Sequence, residues 1–221
     1  MGRFLRTGRG MRFSLFSFLA FVLVCLSVFS SCKNVALGIE NIQSTIVLDY
    51  QDEASLPTMR LSVFVQTSAD ERRVERLRLV HNQSGMEWIC DNPRKIAEDE
   101  RSVWAGYTNF VPATGSTFPR GVYTFHYTDM SGDESQVPFS VSYPEGLPTT
   151  TADKIEETFR NAEQILGVYD RDGNLIYFGP RAENWQLDSD IKSSYGLAEK
   201  IRVCYRFNSG SVICMLPLRD L

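Results

Sequence analysis

Histidine is almost missing from this chain. Its 221 residues include two, His81 and His126. A histidine-based proton relay therefore has few candidate members, and a zinc site, which gathers three or four convergent ligands, has little to draw on. No G-x-S-x-G and no G-x-x-x-x-G-K-[ST] occurs, so the nucleophile elbow and the phosphate-cradling loop are both absent. No two cysteines are spaced C-x-x-C, which removes the usual dithiol redox motif. Basic residues are also few. Arg3, Arg6, Arg9 and Arg12 carry all the charge before Cys32, and without them 19 basic residues face 27 acidic ones, a net of −8. Nucleic acid and anionic membrane surfaces both select clustered Lys and Arg, so nucleic acid is not an expected partner. Past Asn34 no second apolar run approaches the roughly 20 residues of a membrane-crossing helix.

The one long apolar run is at the start. Phe13 to Phe29 is rich in Phe, Leu and Val, interrupted only by Ser14, Ser17 and Ser27, and it ends in Ser30-Ser31-Cys32. A basic first region, an apolar middle and small residues before a cut make a secretory signal. The run is shorter than a spanning helix and has no positive cluster after it. Phe29-Ser30-Ser31-Cys32 resembles the lipobox of bacterial lipoproteins, with Phe29 where most bacteria carry an aliphatic residue, the relaxed pattern of spirochaete lipoproteins. The resemblance implies cleavage after residue 31, diacylglycerol and palmitate on Cys32, and membrane attachment through that lipid in the cell envelope. Each buried CH₂ contributes about 0.8 kcal/mol, and more than one acyl chain is needed for stable anchoring. Lys33 and Asn34 after the cysteine carry no Asp retention signal, which favours the outer membrane.

About 190 residues then remain, enough for one large domain or two small ones. Residues 32–41 are expected to be the lipidated Cys and a tether. Met59, Leu61, Val63 and Val65 alternate with polar residues, as do Leu77 and Leu79 with Arg76 and Arg78; this period of two marks half-buried strands. Val122 to Tyr127 and Val137 to Val141 alternate around a Gly132-containing turn, a β-hairpin. Pro119-Arg120-Gly121-Val122-Tyr123 with the following turn resembles the closing strands of bacterial immunoglobulin-like and fibronectin-like sandwiches, where a tyrosine plugs the corner between sheets. That resemblance implies a sandwich over 42–143 with Tyr123 as corner tyrosine. The Cys…Trp…Cys spacing of true immunoglobulin domains is missing, since Cys90 has no partner upstream in the domain.

Pro144 to Thr151 breaks both periodicities and is expected to be a linker over 144–151. Beyond it, Ile155, Phe159, Ala162 and Ile165 or Leu166 fall at helical spacing, with Asp153 and Glu156 as a capping box and Gly167 as a stop. Two hairpins come next, one turning at Asp170–Asn174 and one at Asn208–Gly210, and a short helix is expected around Ser189 to Ser193. The expected fold is mainly β: an antiparallel, immunoglobulin-like β-sandwich followed by a small α+β domain over 152–221, a helix on antiparallel hairpins.

Candidate chemistry is thin. A three-residue loop at Asn208–Gly210 would put Phe207 opposite Ser211 and Cys204 opposite Cys214, close enough for a disulfide; the alternative is two free packed thiols. Asp170-x-Asp172-Gly173-Asn174 is better read as a turn than as a calcium loop, whose first and twelfth positions would be Val168 and Gly179. Trp104, Tyr107 and Phe110, beside Pro112 and Pro119, are either a binding rim at the sandwich end or core packing. No catalytic residue, metal ligand set or cofactor stands out. The sequence therefore points to a lipid-anchored binding or scaffold module with an unidentified protein or ligand partner. A structural subunit of an envelope assembly and a carboxylate-dependent envelope hydrolase are the alternatives.

Overall fold

The computed structural model describes residues 38–67, 74–97, 103–113 and 117–221. The 1–31 leader and Cys32 lie outside the described residues. β1 (Ile39–Asp49) and β2 (Thr58–Thr67) pair antiparallel, with Ile46 opposite Leu61 and Leu48 opposite Met59. The alternation in β2 does what the period of two requires: Met59, Leu61, Val63 and Val65 are all buried on one face. β3 (Val74–His81) buries Leu77 and Leu79 and turns Arg76 and Arg78 outward, where they pair with Asp91 at 2.6 Å and Glu87 at 3.3 Å. β4 (Glu87–Cys90), β5 (Arg94–Ala97) and β6 (Val103–Phe110) come next. β7 (Gly121–Asp129) and β8 (Glu134–Val141) form the expected hairpin, paired from Gly121–Val141 to Thr128–Glu134.

The remaining strands are β9 (Glu163–Tyr169), β10 (Leu175–Gly179), β11 (Lys200–Phe207), β12 (Val212–Met215) and β13 (Arg219–Asp220), with two helices, α1 (Ile155–Thr158) and α2 (Asp188–Ser194). The large sheet runs β10-β9-β11-β12-β1-β2-β6-β5, with β13 added to β11; the small sheet runs β4-β3-β7-β8. Every described strand pair is antiparallel except β1 with β12, where Ile46 lies beside Val212 and Leu48 beside Cys214. One core joins Ile46, Leu48, Leu61 and Val63 of the large sheet to Leu77, Leu79, Phe125 and Tyr127 of the small one, so two antiparallel-rich sheets enclose a shared interior. A second cluster of Leu166, Val168 and Ile201 is covered by Trp185, Ile191 and Ala198 from the α2 region.

Three parts of the architecture depart from the sequence expectation. The 144–151 stretch is packed: Leu147 is fully buried, and the Tyr50 hydroxyl donates to the Thr150 carbonyl at 3.0 Å. Strands from both sides of it hydrogen-bond in the large sheet, and Leu37–Leu221 form one compact unit. The two segments share a sheet because β1 would otherwise leave one edge of a buried apolar strand unpaired, and β12 supplies that edge with Val212 and Cys214 facing the core. At the other end, Ile39, Glu40 and Asn41, expected in the tether, already belong to β1.

The expected helix through Leu166 stops at Thr158, and Phe159 leaves helical geometry at φ −123°, ψ 60°. The capping box does not form. Asp153 accepts instead from the Thr151 hydroxyl at 2.5 Å, and the helix has no side-chain cap. Ile165, Leu166 and Val168 belong to β9, held between β10 and β11 and buried on both faces. A strand buried on both sides loses its alternation, and its apolar residues then fit a helical period equally well.

Candidate functional site

Tyr123 stands where β7 begins, and its hydroxyl donates to the Pro119 carbonyl at 2.7 Å, four residues upstream. Its ring is fully buried beside Phe139 (5.6 Å between centroids), His81 (4.8 Å) and Trp88 (6.0 Å). Burial pushes the phenol well above its usual range and keeps it a donor. Trp88 donates its indole N–H to the Val111 carbonyl at 2.8 Å and packs on Phe118, while Tyr143 donates to the Phe118 carbonyl at 2.7 Å and carries the Arg120 guanidinium over its ring. This end of the sandwich is thus closed by aromatics tied to loop carbonyls, which satisfies backbone groups that a buried loop would otherwise strand.

The three aromatics expected as a rim do not form one. Phe110 is buried, Tyr107 is half-buried with its edge against Phe110 at 5.1 Å, and Trp104 lies on the outer face of the large sheet with Phe64 and Ile96. Alternation along β6 sends Trp104 and Tyr107 to opposite faces, while an irregularity in the β2–β6 register, with Leu61 opposite Phe110 and Val63 opposite Tyr107, keeps Tyr107 and Phe110 together.

The Cys204–Cys214 bridge is absent: both thiols are free and buried, as is Cys90. The loop holds four residues rather than three, with Asn208, Ser209 and Gly210 all at positive φ, so Phe207 faces Val212. Cys204 then opposes Met215 while Tyr205 opposes Cys214, and the two sulfurs point to opposite faces of the sheet. Burial pushes Cys204 up to about 11 and Cys214 up to about 12, so both remain protonated and poorly nucleophilic near neutrality.

The polar turns are occupied by their own backbones. Asp170 accepts from the Asp172 and Asn174 amides at 2.9 and 2.8 Å and from the Asn174 side chain at 2.9 Å, and Asp129 accepts from the Ser131 and Asp133 amides at 2.8 and 3.2 Å. Both are turn-capping carboxylates. His81 is buried and bonded to the Ser84 hydroxyl at 2.7 Å, whereas His126 meets Glu134 and Arg78 on the outer face of the small sheet. The His126 hydrogen bond, with Arg78 nearby, holds the Glu134 carboxyl below its usual range. Among the described residues, no group of three or more His, Cys, Asp or Glu is placed to hold a metal ion, and no helix is long and apolar enough to cross a membrane.

A cleft of about 380 Å³ opens where the Ala152–Glu156 turn, β11 and the stretch between β12 and β13 meet. Val203, Leu216 and Pro217 give it an apolar floor, and Glu53, Asp153 and Glu156 give it an acidic rim. The Tyr205 hydroxyl donates to Glu156 at 3.1 Å and accepts from the Gln164 amide at 3.2 Å; burial raises this phenol, so it stays a donor. Arg219, the cation of the cleft, is engaged by Asp188 through two contacts of 2.7 and 3.1 Å. The opening therefore presents net negative charge over an apolar base, suited to a ligand with a cationic or donor-rich head and an apolar stem. A carboxylate acid–base pair needs one partner enclosed in an apolar site, and Glu53, Asp153 and Glu156 are all exposed.

None of these cleft residues is distinguishable in the sequence. They come from four segments up to 166 positions apart, from Glu53 to Arg219, joined by the Asp153 amide on the Glu53 carbonyl at 3.2 Å, the Tyr205–Glu156 bond and the Leu216 amide on the Val203 carbonyl at 2.9 Å. No family model matches the chain, and no curated protein or solved structure is detectably similar to it.

Proposed function

We propose that this chain is a lipid-anchored protein of the bacterial cell envelope, attached through Cys32 and acting as a binding or scaffold module. The observation that carries the reading is Phe29-Ser30-Ser31-Cys32 after a basic and apolar leader. The open cleft supports it, because its acids are exposed to partners rather than enclosed for catalysis. Within the same reading the sandwich is immunoglobulin-like, supported by the Tyr123 bond to Pro119, the bond a corner tyrosine makes. A membrane on the outer side of the envelope is the expected location, with the acidic module displayed in water.

Cys32→Ser is the direct test. The variant is expected to remain folded and to move from the membrane fraction to the soluble fraction, while labelled palmitate marks the wild type and not the variant. Wild-type protein that takes up no palmitate overturns the lipid anchor. A second reading, a structural subunit of an envelope assembly, draws on one observation: the uncharged edge strand β10.

A further inference from the structure

The outer face of the large sheet carries aromatic rings that the core does not use. Val63 and Val65 point inward on β2, so Phe64 between them points outward, where it is half-buried. It pairs with Gly106 of β6, and a Cβ on that glycine would lie 2.5 Å from two carbons of the Phe64 ring. The ring therefore fills the space the missing side chain leaves and rests against the sheet. Trp104, two residues before Gly106, takes the same face, and so does its β5 partner Ile96, which is 50% exposed. On the other side of Phe64, its β1 partner Gln43 is exposed.

Gln43, Phe64, Ile96 and Trp104 line an opening of about 290 Å³. Among the described residues that lining has two aromatic rings, one aliphatic side chain and one amide, and no charge. The set discriminates between occupants. An added strand needs free edge groups, and β1, β2 and β6 are each paired on both sides. An anionic phospholipid surface is disfavoured by Glu98-Asp99-Glu100, the next residues after Ala97 of β5. A sugar chain matches both parts of the lining. The C–H groups on the flat side of a pyranose ring are slightly positive and stack on the negative face of an aromatic ring. An amide can donate to one ring hydroxyl and accept from the next. Pyranoses joined β-1,4 form a flat ribbon that can lie along an open sheet face, whereas α-1,4 chains coil.

We propose that Phe64 and Trp104 form a stacking platform for a β-1,4-linked glycan, with the Gln43 amide bonding to its ring hydroxyls. This adds a ligand class to the binding-module reading, at a place separate from the acidic cleft, and it does not depend on the lipid. Gly106 has a defined part in it: by admitting the Phe64 ring against the strand, it leaves the face of that ring turned outward beside Trp104.

The test uses the full chain in phosphatidylcholine nanodiscs, with binding of chitohexaose and maltohexaose followed by calorimetry. Chitohexaose, a β-1,4 chain, is expected to half-saturate the protein at about 1 mM, and maltohexaose, an α-1,4 chain, to bind roughly tenfold more weakly or not at all. Trp104→Leu keeps the apolar bulk and removes the ring, and should weaken chitohexaose roughly tenfold. Trp104→Tyr keeps a ring and should retain most of the affinity, which a merely structural role would not predict. Phe64→Leu serves as a second ring deletion, and the thermal midpoint of each variant reports whether it folds. Absence of chitohexaose binding up to about 10 mM overturns the proposal. Equal affinity for the two sugars does so as well, and so does binding indifferent to both ring deletions. Quenching of Trp104 fluorescence by brominated phosphatidylcholine, without sugar binding, would give this face to the bilayer instead.

Discussion

Cys204 and Cys214 behave as small apolar side chains, and their chemistry is a matter of pH. Both are pushed above the ordinary thiol value of 9.0, by burial first, to about 11 and about 12. A group whose folded value lies above its unfolded value contributes stability that is intact below the unfolded value and lost as pH rises toward the folded one. Stability is therefore expected to hold up to about pH 9 and to fall between 9 and 12. Urea unfolding across that range checks this, and a midpoint that stays level to pH 12 refutes it. The Tyr123 bond to Pro119 spans four residues, so a contact of this kind lies within reach of a local sequence reading. The cysteine register is hidden because one extra loop residue, with Asn208 and Ser209 at positive φ, reverses which face each thiol takes.

Strands with one wet face are legible in the sequence and strands with none are not. Met59 to Val65, Leu77 to Leu79 and the β7–β8 hairpin alternate because one side meets water and the other the core. β9 has neighbours on both edges and apolar packing on both faces, so Ile165, Leu166 and Val168 lose that alternation and fit a helical period. The element that does cover these strands is α2 with the preceding loop, pinned by Trp185. Its ring packs on Tyr177 at 5.0 Å and Tyr195 at 5.8 Å, and its N–H donates to Ser194 at 2.8 Å. Trp185→Ala should cost about 3–5 kcal/mol, the usual loss for a buried tryptophan. Hydrogen exchange should then quicken in β9 and β10 before it does in β2 or β7, and uniform acceleration throughout would show that the cover is not a separate cooperative layer.

At the scale of the whole molecule the boundary expected at 144–151 is the instructive case. Proline, glycine and threonine there break every local period, yet Leu147 is buried and Tyr50 reaches across to Thr150. Local composition reports where the chain turns, not whether the later segment returns to the same sheet. The expected 42–143 unit, produced alone, would lack β12 beside β1. It should therefore fail to fold to a monomer with a cooperative transition, whereas the full chain should unfold in one step by both fluorescence and circular dichroism. A stable, monomeric 42–143 fragment would restore the two-domain picture. The cleft belongs to this scale too, since its floor and rim are joined only when the last strands close.

The parallel contact between β1 and β12 also sets an order of events. The first described strand to emerge during synthesis must wait for nearly the last, since Ile46 lies beside Val212, 212 − 46 = 166 positions later. Until then one side of β1 has nothing to bond, and contacts this distant in sequence form slowly. A newly made chain would spend that interval with an open apolar edge, the state most exposed to aggregation. Holding factors that bind extended apolar chain would thus matter more for this protein than its modest size suggests.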